Sequence, residues 1–422
     1  MSKTLIKSLQ ELVDAQVISA DIADRIRHYY REKEASSNRL MVVFSILGAL
    51  LVGLGIILII AHNWDNLSKT IKLTFALLPL LITQALCAIA LWKKSDSKAW
   101  RETLAVALMM SVAAAISIVS QVYNIEGSLE SFLFTWMLLS IPIVYVMRSM
   151  ATSLLVIAGL TWYACEVGYF EFASVPAWNY WSLLTAMIPF YIYVVRQPGR
   201  NFQALHAWFL AGSLTITLGM FAKSDESWML VAYISMFSAF IMLYDYLYRK
   251  SLPGAFAFLI TGSVGQTVML LVLTFKSNWR NMDPGYGGTL EMQVAAGISL
   301  LTAILLVGTL QRRQASQVHP LSFMFVVFAA VFIIGSAYPI VGQVGCNVVV
   351  LAIALVTTKR GADQNNLFVL NYGLAIMTVL VLCRFFDTDL SFFVRGILFI
   401  AVGASFFAAN YYAIKKRKSL TV

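Results

Sequence analysis

A long segment without a charged residue, residues 40–61, limits what this chain can fold into. It consists of apolar residues, glycine and one serine. At about 1.5 Å per residue, a helix over this segment crosses a bilayer core of roughly 30 Å. Charged residues precede it at 31–39, and Trp64 follows it among polar groups, as is typical at a membrane surface. The segment is therefore predicted to be the first transmembrane helix.

Apolar runs of similar length recur through the rest of the chain. The 422 residues are 59% apolar and 12% charged, with a mean hydropathy of +0.77, whereas a soluble domain carries about 25% charged residues. We therefore predict an all-α fold, a polytopic transmembrane helix bundle with about 14 spans. After the first, the spans are expected at 70–92, 101–122, 129–147, 150–169, 179–195, 203–222, 227–248, 253–275, 292–311, 321–338, 340–358, 366–384 and 391–414.

The distribution of charge predicts the orientation of the bundle. If the first span leaves the cytoplasm, the cytoplasmic segments hold 24 of the 31 Lys and Arg residues and 10 of the 21 Asp and Glu residues. That side then carries +14 and the outer side −4, and together these give the net charge of +10. Such a positive-inside asymmetry explains the surplus without nucleic-acid binding, which we exclude. Both termini are expected in the cytoplasm.

The charge and apolar patterns divide the chain into four regions. Residues 1–36 are predicted to form a short soluble helical hairpin on the cytoplasmic side, with Ser19 as the N-cap of its second helix. Residues 40–150 hold the first four spans, residues 150–414 the remaining bundle, and residues 415–422 a basic cytoplasmic tail.

Polar residues gather at the predicted outer ends of three regions and form a candidate site. Arg395 enters the last span, where an unpaired guanidinium is costly in lipid, so we expect it to meet Asp65, Glu130, Asp387 or Asp389. The cluster either fastens helix ends together or forms an outward-facing site for a charged or hydroxylated ligand. Its members are His62, Asn63, Trp64, Asp65, Gln121, Tyr123, Asn124, Glu126, Glu130, Arg384, Asp387, Asp389 and Arg395.

The centres of the spans carry a few polar residues but no charged residue at mid-depth. Gln84, Gln266 and Asn347 are the deep polar candidates, and deep amides more often join helices than bind ligands. The absence of a carboxylate at this depth disfavours carriers coupled to protons or sodium ions. No hydrolase, P-loop or metal-ligand pattern occurs in the sequence, and the four cysteines show no CxxC spacing. We expect no catalysis, no cofactor and no metal.

Four segments of the sequence carry a family resemblance. These are the stretch from Leu12 to Tyr30, residues 53–65, the stretch from Gln121 to Gly127 with Trp136, and Arg384-Phe385-Phe386-Asp387 with Arg395-Gly396. They resemble predicted bacterial membrane proteins catalogued as domain of unknown function 2157, although Asn124 stands where the family pattern has histidine. The resemblance implies no assigned activity. It also implies a partner, a small membrane protein bearing a GDYxxLxY motif.

Two functions from different classes are consistent with these features. The first is transport or handling of an envelope-related solute or lipid through the outward-facing polar site, in the bacterial inner membrane. The alternative is a non-catalytic membrane scaffold or complex subunit that works with a partner membrane protein. A membrane-embedded transferase is disfavoured by the small outer loops. A continuous polar groove from the outer cluster toward Gln266 and Asn347 would favour transport, whereas a sealed core would favour the scaffold.

Overall fold

The protein is described by a computed structural model in which all regular structure of the described residues is helical. No strand occurs among these residues, which confirms the predicted all-α fold. The described residues are 9, 12–15, 17–26, 64–170, 178–196, 200–223, 226–249, 254–280, 282, 284–285, 287–311, 318–385, 391–393, 396–397, 400, 403–404 and 407.

The long helices follow one another with short connections. They are α1 (Lys69–Lys93), α2 (Lys98–Tyr123), α3 (Leu129–Met147), α4 (Met150–Cys165), α5 (Trp178–Arg196), α6 (Arg200–Leu218), α7 (Glu226–Arg249), α8 (Ala255–Val272), a short α9 (Lys276–Arg280), α10 (Leu290–Leu310), α11 (Met324–Ala337), α12 (Pro339–Asp363) and α13 (Leu367–Phe385). A π-helical turn, Glu166–Phe170, extends α4. The 3-10 turns Gly219–Phe221 and Pro320–Phe323 extend α6 and precede α11.

Eleven helices of the described part of the chain are long and apolar enough to cross a membrane. They correspond to predicted spans, and the predicted division at Tyr338 is confirmed because α11 and α12 are separate helices there. The predicted span at 179–195 is a helix, α5, but it is not among the eleven. The predicted span at 40–61 and most of 391–414 lie outside the described residues. The count of about 14 spans therefore stays a prediction.

Local sequence explains where several helices begin and end. The hydroxyl oxygens of Ser128 and Ser149 accept hydrogen bonds from backbone N–H groups in the first turns of α3 and α4. Asn124 and Arg148 end α2 and α3 in the left-handed conformation, with φ angles of 49° and 50°. These stops allow connections of only a few residues, so neighbouring helices run antiparallel.

The chain divides into two compact units, and the first is Met1–Phe75. In this unit residues 12–14 and 20–26 are helical, and the side chain of Ser19 accepts the Ile22 N–H at 3.4 Å, as expected of an N-cap. The rest of the predicted hairpin lies outside the described residues, so the hairpin stays a prediction. A 3-10 turn, Trp64–Asn66, precedes α1, and the Lys72 ammonium lies 5.3 Å from the centroid of the Trp64 ring.

The second unit, Ala76–Val422, contains most of the bundle and one large buried core. Its antiparallel helices place their connections at two ends. We call the end at which α12 finishes and α13 begins the basic end, because Lys93, Arg148, Arg196 and Arg360 lie at the helix termini there. The end at which α8 finishes and α12 begins is called the opposite end.

Small residues bring α12 and α13 into close contact. A Cβ atom on Gly373 would lie 2.4 Å from Oγ1 of Thr358, and one on Gly361 would lie 2.3 Å from the backbone nitrogen of Leu370. Only glycine fits at such a distance, as is common where membrane helices pack. The two helices therefore form one tight pair, which becomes a wall of the cavity described next.

Candidate functional site

A groove suited to a ligand lies in the half of the bundle nearer the basic end. It has a volume of about 540 Å³, within the range of about 300–1,000 Å³ that is usual for ligand pockets. Helices α8, α12 and α13 contribute its walls, together with the turn that leads into α11 and the first part of α11 itself. We call this cavity the α8–α13 groove.

The lining of the groove is apolar over most of its length. On α12 it extends from Val348 to Arg360, a distance of ~18 Å at about 1.5 Å per residue. One leaflet of a hydrocarbon core of roughly 30 Å is ~15 Å thick, so the groove matches one leaflet. The apolar lining consists of Phe256, Leu259, Ile260, Val264, Pro320, Leu321, Met324, Val327, Val348, Val349, Ala352, Ile353, Val356, Phe368 and Val369.

Polar side chains are concentrated where the groove reaches the basic end. Arg360 from α12, His319 before α11, and Asn366 before α13 line this end. Among the described residues, no Asp or Glu lines the groove and none forms an ion pair with Arg360. This end of the groove therefore offers a positive charge without a neutralising carboxylate.

Asn366 is held by the helix that follows it. Its Oδ1 accepts the backbone N–H groups of Phe368 at 3.0 Å and Val369 at 3.3 Å, so the residue is the N-cap of α13. With Oδ1 occupied in this way, the Nδ2 amide group is left as a hydrogen-bond donor. The positive end of the α13 dipole lies at the same place.

His319 is half-buried at this end of the groove. Its ring atom Nδ1 is shielded from solvent and has no hydrogen-bond partner within the described structure. Burial, together with the nearby Arg360 guanidinium, lowers the pKa of His319 from 6.5 to about 4. His319 lies directly before the candidate span Pro320–Ala337, outside the membrane-spanning segment. With this lowered pKa, its imidazole is neutral at pH 7.

The polar residues deeper in the groove are tied to the bundle. Tyr372 forms a hydrogen bond of 2.9 Å with the hydroxyl of Thr267, which fixes its ring against α8. Gln266, one residue before Thr267, is fully buried, and its Nε2 donates to Oγ of Ser238 at 2.7 Å. Gln266 and Thr267 are thus tied into the helix bundle and do not line the groove.

A buried tryptophan fills the bundle at the opposite end, beyond the groove. Trp279 of the short helix α9 is fully buried, and its Nε1 donates to the carbonyl oxygen of Leu273 at 2.7 Å. A Cβ atom on Gly335 of α11 or Gly342 of α12 would lie 2.4 Å from the indole. The segment 276–291, predicted as an outer loop, thus sends one side chain into the bundle.

The outer polar cluster is described only in part. Its members His62, Asn63, Asp387, Asp389 and Arg395, and the side chain of Asp65, lie outside the described residues. Gln121, Tyr123, Asn124 and Glu126 are exposed around the turn between α2 and α3, and Glu130 is half-buried in the first turn of α3.

Two details differ from the expected arrangement of this cluster. Glu126 precedes the Ser128 cap and is not helical, so it does not share a helix face with Glu130, although the two residues are four apart in sequence. Arg384 donates from Nη2 to Oγ1 of Thr274 at 3.1 Å, and its guanidinium carbon lies 5.1 Å from the Phe275 ring centroid. The convergence of the three outer regions stays a prediction.

The three deep polar residues have different surroundings. Gln84 is exposed on α1. Gln266 joins α8 to α7 through Ser238, and Asn347 donates from Nδ2 to the carbonyl oxygens of Thr274 at 3.2 Å and Gln343 at 2.8 Å. The hypothesis that deep amides join helices is thus consistent with the contacts of Gln266 and Asn347.

The groove residues were not singled out from the sequence. The predicted spans leave His319 and Arg360 in two different connections and place Asn366 at the start of the span 366–384. A histidine directly before a proline at the start of a span was an available signal, but it did not indicate that Arg360 would lie beside it. Within the described residues, no group of three or more His, Cys, Asp and Glu side chains could hold a metal ion.

Comparison with known proteins identifies part of the chain. No curated protein and no solved structure matches it. The α8–α13 groove lies beyond residue 153, outside the region that a family model matches. The described part of the chain contains several helices that could cross a membrane. Residues 10–153 match the model of the family described as predicted membrane protein (DUF2157), which confirms the family resemblance for this part of the chain.

Proposed function

We propose that the protein binds and handles a membrane lipid in the α8–α13 groove. The observation that carries this proposal is the distribution of polarity in the groove, which is mostly apolar along ~18 Å of α12 and has its charged residue, Arg360, at the basic end. An acyl chain requires an apolar lining, and a headgroup requires polar partners at the membrane surface. The groove provides both in the order that a lipid of one leaflet would need.

The same geometry makes a water-soluble solute a poorer candidate. Passage of a polar solute requires a lining of hydrogen-bonding groups along the whole path. The groove lacks such a lining, and Trp279 fills the bundle at the opposite end. Lipid handling is therefore favoured over solute transport, and the proposed role is binding without catalysis.

We place the groove in the cytoplasmic leaflet of a bacterial inner membrane. This follows from the positive-inside distribution of charge, because Arg360 and the other basic helix ends are then cytoplasmic. The proposed lipid site lies on the side away from the outer polar cluster, so it replaces the outward-facing site as the main candidate.

Two matched tryptophan substitutions on α12 test the proposal. Val356 lines the groove and is 44% exposed, whereas the adjacent Leu355 is 52% exposed and does not line it. Val356→Trp should fill the groove and reduce the lipid that remains bound after purification of the full chain in detergent, measured by mass spectrometry of the intact protein. Leu355→Trp should retain the wild-type amount. Equal lipid retention in both variants would contradict lipid binding in the groove.

The scaffold alternative is supported by a different observation. Several buried polar side chains of the bundle bond across helices, including Ser153 with His206 at 2.7 Å and Ser235 with Ser299 at 2.9 Å. Such bonds stabilise a static bundle. If Val356→Trp leaves lipid binding unchanged, assembly with a partner membrane protein, as the family resemblance implies, becomes the better hypothesis.

A further inference from the structure

We infer that the Arg360 end of the α8–α13 groove binds the phosphate of an anionic phospholipid. This inference rests on the proposed lipid binding and specifies the headgroup of the lipid. It concerns three residues that line the mouth of the groove: Arg360 near the end of α12, Asn366 before α13, and His319 before α11.

Arg360 supplies the charge that an anionic headgroup requires. The guanidinium group carries five N–H donors in a planar arrangement that suits phosphate oxygens. Asp363, three residues further along α12, forms no ion pair with Arg360 in the described part of the chain. The arginine is therefore available to a ligand, and hydrogen bonds between guanidinium and phosphate are among the stronger ones in proteins.

Asn366 adds neutral donors to the same place. Because its Oδ1 caps α13, its Nδ2 is free to donate to a phosphate oxygen. The first backbone N–H groups of α13 lie beside it, where the helix dipole also favours an anion. A helix terminus alone would not define a site, but here it adjoins an arginine and the end of an apolar groove.

His319 completes the donor set without adding charge. Its buried Nδ1 has no hydrogen-bond partner within the described structure. A ligand can therefore form a hydrogen bond with this nitrogen without breaking an existing one. An unpartnered buried polar atom requires an explanation in a native structure. A headgroup oxygen that reaches into the mouth of the groove would provide one.

The absence of acidic side chains from the described lining of the groove indicates an anionic headgroup and not a zwitterionic one. A zwitterionic lipid presents an ammonium or choline group beside its phosphate, and that cation would be stabilised by a carboxylate. No Asp or Glu occurs among the described residues that line the groove. Phosphatidylglycerol, which has a phosphate and hydroxyl groups but no cation, is therefore the better probe, and basic pockets between membrane helices are known to select such lipids.

The experiment compares two lipids with identical acyl chains, phosphatidylglycerol and phosphatidylcholine, titrated onto the full-length delipidated protein in neutral detergent. Binding is measured by mass spectrometry of the intact protein. The wild type should prefer phosphatidylglycerol by about tenfold, the scale of one charge-assisted contact. Inorganic phosphate without a chain should not displace the lipid, because the apolar groove would remain empty.

Variants at two adjacent basic residues separate a specific contact from a general charge effect. Arg360→Gln should weaken the binding of both lipids, because both carry a phosphate, but phosphatidylglycerol should lose more affinity, so that most of its preference disappears. Arg360→Lys should restore part of the preference, since the charge remains but the planar donor pair is lost. Lys359→Gln removes the same charge from an exposed position outside the groove and should keep the wild-type preference.

The outcomes distinguish this inference from the proposed function. If Arg360→Gln keeps the full preference, or Lys359→Gln loses it equally, the headgroup assignment is wrong. Lipid binding in the groove then still stands, provided that Val356→Trp reduces the binding of both lipids. If Val356→Trp affects neither lipid, the proposed function itself fails. Displacement by inorganic phosphate would also overturn the inference, because it would indicate a site for the free anion.

Discussion

The carboxylate of Glu102 in α2 binds the N-terminus of α4, where its Oε1 accepts the backbone N–H of Met150 at 2.9 Å. Its Oε2 accepts the N–H of Ala151 at 2.9 Å and the hydroxyl proton of Ser149. A helix N-terminus favours a negative charge, so this side chain both satisfies free N–H groups and complements the dipole. The contact joins two helices of the region that matches the family model.

We predict that Glu102→Gln destabilises the protein by about 1–3 kcal/mol, since the amide loses the charge and one of the two acceptor oxygens. The measurement is thermal unfolding of the purified protein in detergent. Glu126→Gln is the control, because Glu126 is exposed in the turn between α2 and α3. The control should change stability by less than about 0.5 kcal/mol. Equal unfolding temperatures for wild type and Glu102→Gln would show that the contact adds no net stability.

The close approach of Gly342 to Trp279 gives a second prediction. Gly342→Ala places a methyl group 2.4 Å from Cε3 of the buried indole, and overpacking of this kind costs about 1–3 kcal/mol. Replacing Trp279 with Leu in the same chain should restore part of the loss, because the two changes share one space. Gly297→Ala on α10 has open space around the new methyl group and serves as the control. Strict additivity of the Gly342 and Trp279 changes would contradict the packing described here.

The lowered pKa of His319 predicts a pH dependence of stability. The pKa of about 4 in the folded protein lies below the ordinary value of 6.5, so the unfolded chain binds a proton in this interval that the folded protein does not. Stability should therefore fall as the pH decreases from about 6.5 to about 4. His319→Gln should remove this part of the slope in thermal unfolding measured across the interval. A variant with the same slope as the wild type would indicate an ordinary pKa for His319.

The orientation of the bundle can be tested by labelling of single cysteines. In a chain whose four native cysteines are replaced by alanine, Ser95→Cys should be protected from an impermeant maleimide added outside intact cells. Gly287→Cys should react, because both positions are exposed but lie at the two different ends of the bundle. Positions 278–288 are expected to be accessible from outside, except Trp279 and Pro284, which are buried. The reverse labelling pattern would invert the proposed leaflet of the groove.

The positions of most helices were determined by the sequence itself. Hydrophobicity and length are properties of a single segment, so the span predicted at 101–122 appears as Lys98–Tyr123 without any knowledge of its neighbours. The division at Tyr338 was not purely local: it depended on the positive-inside rule, because Pro79, Pro142 and Pro189 lie inside helices and a proline alone does not end one. The all-α class followed directly, since a helix satisfies its backbone hydrogen bonds within lipid.

The candidate site was decided only by the tertiary structure. Arg360 lies on α12 and His319 in the turn before α11, and neither residue carries a local signal that it faces the other. Their meeting depends on how α12 packs beside the start of α11, which hydropathy does not specify. The burial of Trp279 was likewise not predictable from its own segment, which has the composition of a loop. Its indole is buried because it packs against Gly335 and Gly342 of two other helices. Hydropathy specifies which segments enter the membrane, whereas the shapes of the packed helix surfaces specify which side chains meet there.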